Sequence, residues 1–224
     1  MKNKMIKKIS LCLLIVVVFL STLLCLRYQH TSSKRLPEKW KGDVIAQYHS
    51  LLDKDGDGMD DQVDILEGAI AYVNTHPKYK SAYYAGGYPN DGYGVCTDVV
   101  AYALKAAGYD LMELVSDDIA MHADMYDIEA ADQNIDFRRV KNLYVFFQMN
   151  AESLTTDLSK ISEWQGGDIV IFENHIAIVS DRRNERGVPY VIHHANPFQK
   201  SYEEDILEKN DDIRGHYRWN GSVN

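Results

Sequence analysis

The sequence predicts an α+β domain standing behind an apolar N-terminal segment, and three observations carry that reading. Helical periodicity fills the first half of the 224 residues, with runs near 62–74, 96–107, 111–126 and 138–150. The second half changes to short β-rich runs set off by turn residues: "GGDIVIF", "HIAIVSD" and "PYVIHHA". Helices first and strands after are the pattern of an α+β domain. Ahead of both, residues 9–26 contain no charged side chain.

That apolar run is near the lower limit for a helix crossing a bilayer. Lys2, Lys4, Lys7 and Lys8 precede it, whereas Arg27 alone follows closely, so residues 1–8 read as a cytoplasmic tail. No small-x-small cleavage site follows, and Leu24 before Cys25 argues against a lipoprotein signal. The residues favour an uncleaved single-pass signal anchor, with a cleaved signal peptide as the rival. On this reading the chain sits in the cell membrane with its C-terminal domain outside. Residues 27–40, "RYQHTSSKRLPEKW", read as a polar stalk. The organisation that follows is a lead-in over 41–82 and a main domain over 83–224.

Charge narrows the partners. Five of the 24 Lys and Arg, and none of the 33 Asp and Glu, lie in residues 1–30, which leaves residues 31–224 at a formal −14. Such a balance disfavours nucleic acid, which needs cationic patches. It suits a substrate carrying amines, or bound cations.

The lead-in holds "DKDGDGMDDQVD", which fits the calcium loop D-x-D-x-D-G-x₅-[DE]. Asp53, Asp55 and Asp57 stand at loop positions one, three and five, and Gly58 makes the sharp turn. The Met59 carbonyl, Asp61 and Asp64 complete the set. Asp instead of Glu at the last position shortens the reach, which predicts modest affinity for a structural ion. No organic cofactor is expected.

Of three cysteines, Cys12 and Cys25 fall in the apolar run, where a thiol acts as a small hydrophobe. Cys96 alone remains in the domain, so no internal disulfide is possible there. It opens an amphipathic helix in "GYGVCTDVVAYALKAAGYDL", whose Val99, Val100, Ala103, Leu104 and Ala107 share a face and whose end is marked by Gly108. Unpaired N–H groups and the positive dipole end at a helix start lower a thiol's pKa and can hold an oxyanion. Gly92 and Gly94 are expected to turn the chain and leave room for a substrate. A thiol nucleophile needs a base and the base an orienting group. His175 opens one β-rich run, and His193 and His194 close the next. On adjacent antiparallel strands, Cys96 would attack, His175 carry the proton and His193 hold the ring. His194 is the alternative third member, since neighbouring strand residues face opposite ways. Zinc on Cys96, His175 and His193 is a minor alternative.

These residues carry a resemblance. A cysteine heading a helix, "GGDIVIF", "HIAIVSD" and "YVIHH" resemble the NlpC-type cell-wall peptidases, a branch of the papain-like superfamily. Residues 83–219 look especially like an uncharacterised bacterial domain family of that superfamily, through "GYGVCTDV", "NIDFRRVKNL", "GDIV", "HIAIVSD", "VIHH" and "GHYRW". The resemblance implies a papain-like fold, a helical half carrying the cysteine packed on a small antiparallel sheet carrying the histidines. It implies a triad of Cys96, His175 and His193 and hydrolysis of amide bonds in peptidoglycan stem peptides. A non-catalytic wall-binding module on the same fold, and an acyltransferase, are the other readings. Arg138 and Arg139 are candidate clamps for a substrate carboxylate, and Tyr93 a candidate substrate hydrogen bond, each weaker than a salt-bridging or loop-packing role. Asp98 is expected to cap the helix.

Overall fold

The computed structural model describes residues 2–221, with side chains from Lys8 onward. The side chains of Lys2, Lys4 and Lys7 in the basic tail lie outside the described residues. Helix α1 (Lys2–Arg27) is the one described helix long and apolar enough to cross a membrane, which suits either an anchor or a signal sequence.

Helix α2 (Asp61–Asn74) begins where Asp60 accepts hydrogen bonds from the N–H groups of Gln62 and Val63, satisfying donors that a helix start leaves open. Two short parallel strands, β1 (Lys78–Tyr79) and β2 (Tyr93–Gly94), frame a Tyr/Gly-rich loop. Tyrosines tie that loop down: its own Tyr84 donates to Asp91 and Tyr88 to Asp110, and Tyr102 of the following helix donates to the Pro89 carbonyl. Helix α3 (Cys96–Ala106) follows, and Gly108 closes it with φ +80°, a conformation that favours glycine.

Helix α4 (Leu111–Met121) is shorter than the periodicity predicts. His122 leaves the helical region and a 3₁₀ turn, Ala123–Met125, takes over. Asp118, fully buried, pairs with His122 and accepts from Tyr126 and Asn150, and the break at His122 lets Tyr126 turn back to it. After the single turn α5 (Gln133–Asp136), helix α6 (Val140–Asn150) starts two residues later than expected, since Arg138 is drawn into the interior.

The rest forms a six-stranded antiparallel sheet with order β3-β8-β4-β5-β6-β7. Its strands are β3 (Glu152–Ser153), β4 (Ile169–Phe172), β5 (Ile176–Arg183), β6 (Pro189–Ile192), β7 (Glu203–Glu204) and β8 (Ile213–Arg218). The sequence marks β4, β5 and β6; the two-residue strands and β8 lie too close to turns to stand out. Alternation along the central strands sorts the core into two layers. Ile169, Ile171, Ile176, Ile178 and Ile192 join the helices, whereas Val170, Phe172, Ala177, Val179 and Val191 pack with Trp164 and Leu207 on the opposite face. Helices on one face of an antiparallel sheet are an α+β arrangement.

Asp168, in the turn ahead of β4, is fully buried and ties the layers together. It accepts from Arg218 through two nitrogens (2.8 and 2.9 Å), from Gln62 (2.9 Å) and from the Gln165 N–H (2.8 Å), and it pairs with His216 (3.0 Å). "GHYRW" is thus legible as the partner set of "GGD".

Of residues 27–40, expected as a stalk, Arg27 ends α1 and the remainder lies against the domain. The Ser32 N–H donates to the Lys200 carbonyl, the Tyr202 N–H to the Ser32 carbonyl, and the Lys39 N–H to the Arg183 carbonyl. Arg35 reaches Glu203 (2.8 Å), Ser180 (2.9 Å) and Asp181. Glu203 is only 3 % exposed and also receives the Leu36 N–H. A buried carboxylate needs such partners, and the strap supplies them.

Candidate active site

Cys96 is half-buried at the first position of α3. The N–H groups of Thr97, Cys96 itself and Ile176 act on its sulfur. Ile176 directly follows His175, so the thiol lies at the start of β5. Those N–H groups favour the thiolate, as a helix start should. Loss of water outweighs them and pushes the Cys96 thiol up to about 11, opposite to the lowering expected from the sequence.

His175 and His193 do meet, as adjacent antiparallel strands require: His175 Nε2 lies 2.8 Å from His193 Nδ1. His193 is buried, and its Nε2 lies 3.2 Å from Glu204 Oε2 and 3.1 Å from Gln199 Nε2. Glu204 sits on β7, next to the strand that leads into His193. Burial and the neighbouring His193 and His194 lower His175 from its ordinary value to about 3, so the ring is neutral at physiological pH. The one tautomer that leaves His175 Nδ1 able to accept a proton has Nε2–H donating to His193, and His193 Nε2–H donating to Glu204. Among the described residues no hydrogen bond joins the Cys96 sulfur to either His175 nitrogen.

His194 takes a different direction. Its ring stands edge-on to Tyr79 (5.4 Å between centroids) and to Tyr202 (5.1 Å), its Nδ1 has no hydrogen-bond partner, and burial lowers it to about 4. His193 is therefore the histidine that meets His175.

Asp98 and Arg138 form a buried pair beneath the cysteine. Arg138 Nε donates to Asp98 Oδ1 (2.7 Å), one terminal nitrogen to Oδ2 (2.9 Å) and the other to the Ala82 carbonyl (2.6 Å). Asp98 Oδ2 also accepts the Val95 N–H (2.8 Å), the helix-capping role expected of it. Each guanidinium nitrogen of Arg138 is thus engaged inside the protein, which corrects its reading as a substrate clamp. Arg139 is turned outward and pairs with Asp136 (3.0 Å). Tyr93 does border open space: it lines a cleft of about 510 Å³ with Tyr72, Tyr102, Pro77 and Pro89, and a second of about 480 Å³ with Lys78, Tyr79 and Lys80. The space at Gly94 serves the protein itself, since a Cβ there would come 2.1 Å from the Tyr72 hydroxyl.

The acidic loop is a second place where a group could be held. Asp53, Asp55 and Asp57 are exposed, with one carboxylate oxygen each inside a 4.8 Å sphere of mutual distances. Asp64 is buried, and burial together with Asp57, Asp55, Asp61 and Asp53 pushes its carboxyl up to about 6. Asp61 is turned away, accepting from the Lys54 N–H (2.8 Å) and the Tyr109 hydroxyl (2.5 Å). Among the described residues, Cys96, His175 and His193 are not gathered into one set of mutually close donor atoms.

Sequence reasoning missed Glu204, and one signal was present: an acidic pair, Glu203–Glu204, ten residues after the two histidines. Missing too was the docking of residues 28–40, whose Gln29 side chain brackets Tyr79, accepting its N–H (2.6 Å) and donating to its carbonyl (2.8 Å).

No solved structure matches this chain. The "Uncharacterized protein YijF" of Escherichia coli (strain K12) is 37% identical over 168 residues, covering 69% of this chain and 80% of that protein. The profile of a domain of unknown function, DUF1287, matches residues 66–219, which span the cysteine, the histidine pair, Glu204 and the "GHYRW" strand. This chain belongs to the DUF1287 family.

Proposed function

We propose that the protein is a cysteine hydrolase of NlpC, papain-like type, acting outside the membrane on amide bonds of peptidoglycan stem peptides. The observation that supports it is the contact chain His175–His193–Glu204, one tautomer of which leaves His175 Nδ1 to accept a proton, with the Cys96 thiol at the start of the same strand. In this reading the resting pair is neutral. His175 Nδ1 takes the thiol proton as sulfur attacks the carbonyl carbon, and N–H groups at the start of α3 hold the oxyanion. The proton passes to the departing amine and a thioester remains. Water, deprotonated by the same ring, releases the carboxylate. His193 fixes the ring's tautomer, and Glu204 balances the charge that develops on the pair.

The test uses the full chain in detergent with purified stem-peptide fragments, following new amine ends by mass spectrometry. Turnover that disappears in Cys96→Ser and in His175→Ala supports the reading. Equal turnover in Cys96→Ser would sink it. The raised thiol pKa and the missing thiol–imidazole hydrogen bond favour a second reading, a non-catalytic wall-binding module. Fragments bound equally by the parent and Cys96→Ser, with no cleavage by either, would establish it. If an added amine captures the acyl group in competition with water, the same site is an acyltransferase.

A further inference from the structure

We infer that the loop Asp53–Asp64 is a calcium site, in which the side chains of Asp53, Asp55 and Asp57, the Met59 carbonyl and the Asp64 carboxylate supply the oxygens. The inference is independent of any chemistry at Cys96.

The cluster of three exposed carboxylates would not carry this alone, since acidic loops are common. Asp64 does. It is 5 % exposed, and its Oδ2 is buried with no hydrogen-bond partner. Asp64 fills the last position of the loop motif, and the charges that bear on it are those of Asp57, Asp55, Asp61 and Asp53, so the orphaned oxygen belongs to the same acidic group. A buried carboxylate oxygen without donor or cation is costly. The loop's one basic residue does not relieve it, because Lys54 Nζ lies over the Tyr109 ring, 6.0 Å from its centroid.

The loop's position adds a second conflict that a cation resolves. It rests on the C-terminal end of α3: a Cβ at Gly108 would come 3.2 Å from both Asp55 Cβ and Lys54 Cγ. A helix C-terminus carries partial negative charge, so carboxylates gathered there repel it as well as one another. Carboxylates and a carbonyl on a short loop suit calcium, which accepts six to eight oxygens in flexible geometry; magnesium demands a tighter octahedron and keeps its waters. Asp61 already holds Lys54 and Tyr109, and so fixes the loop without being a direct ligand.

The experiment is calorimetric titration of the full chain in detergent, stripped of divalent ions, with calcium chloride alone. One site per chain with a Kd of about 10⁻⁴–10⁻³ M is expected. Saturating calcium should raise the Tm by about 5 °C, well beyond the effect of equimolar magnesium. Asp57→Asn, an exposed change that leaves folding intact, should weaken binding at least about tenfold, and Met59→Ala should bind as the parent does because the carbonyl remains. Absence of saturable heat up to about 20 mM calcium, well above this affinity range, or an Asp57→Asn variant binding as tightly as the parent, would overturn the assignment.

Discussion

Arg138 closes both carboxylate oxygens of Asp98 across forty positions of sequence, two residues into the helix that Cys96 begins. The pair is almost wholly buried, with side chains 2 % and 0 % exposed. Removing one partner would strand the other's charge, which costs about 3–5 kcal/mol. Arg138→Leu should therefore lower the urea midpoint of the full chain sharply. A clamp for substrate would behave differently, raising KM while leaving stability intact.

The two neighbouring histidines should separate by what they disturb. His193→Ala removes the partner of His175 and should cut turnover by about a hundredfold or more, the usual scale of a lost acid–base arrangement. Glu204→Gln should lower kcat by about tenfold with KM little changed, as a positioning residue does. His194→Ala should spare kcat and reduce Tm, because its ring only packs against Tyr79 and Tyr202. Kinetics and melting on the same three variants decide the assignment.

Alkylation of Cys96 should follow its burial. With the thiol raised to about 11 and His175 lowered to about 3, the rate with iodoacetamide should climb through the alkaline range without a shoulder near neutrality. A shoulder between pH 4 and 7, lost in His175→Ala, would instead reveal a resting thiolate–imidazolium pair. For turnover, the neutral pair predicts kcat/KM nearly flat from about pH 4 to 10, in place of a narrow bell.

Acid should destabilise the fold through the same histidines. His194 titrates near 4 when folded and near 6.5 when unfolded. Between those values the unfolded chain binds a proton the folded one refuses, so stability falls as pH drops from about 6.5 to 4. The full effect is at most about 3 kcal/mol. In the difference between the parent and His194→Phe, measured by melting at pH 7 and pH 4.5, other titrating groups cancel. The variant should lose less stability at the lower pH.

What was legible in the sequence depended on range. Short β-rich runs set off by turn residues marked β4, β5 and β6, and their adjacency brought His175 to His193. The start of α2 was legible within a residue because Asp60 caps it from next door. Arg138 was not: "RRV" looks like a solvated pair until α3 supplies Asp98. Nor was Glu204, since a two-residue strand has too little pattern to declare itself. The Cys96 thiol went the wrong way because a helix start is visible in sequence, whereas loss of water around the sulfur belongs to the packed molecule.

The strap over residues 28–40 sets an order on how the chain completes itself. Arg35 and Glu203 are 168 positions apart, as are Thr31 and the Gln199 carbonyl it bonds. Contacts between ends so distant close a large loop, and they form only after the intervening chain has lost its freedom. The first segment to leave the ribosome after the apolar helix is thus among the last to settle, waiting for β7. Until then Glu203 and Ser180 lack their cover, and the unfinished edge beside β7 is open to another strand. Truncation before residue 37 would leave the protein permanently at that stage.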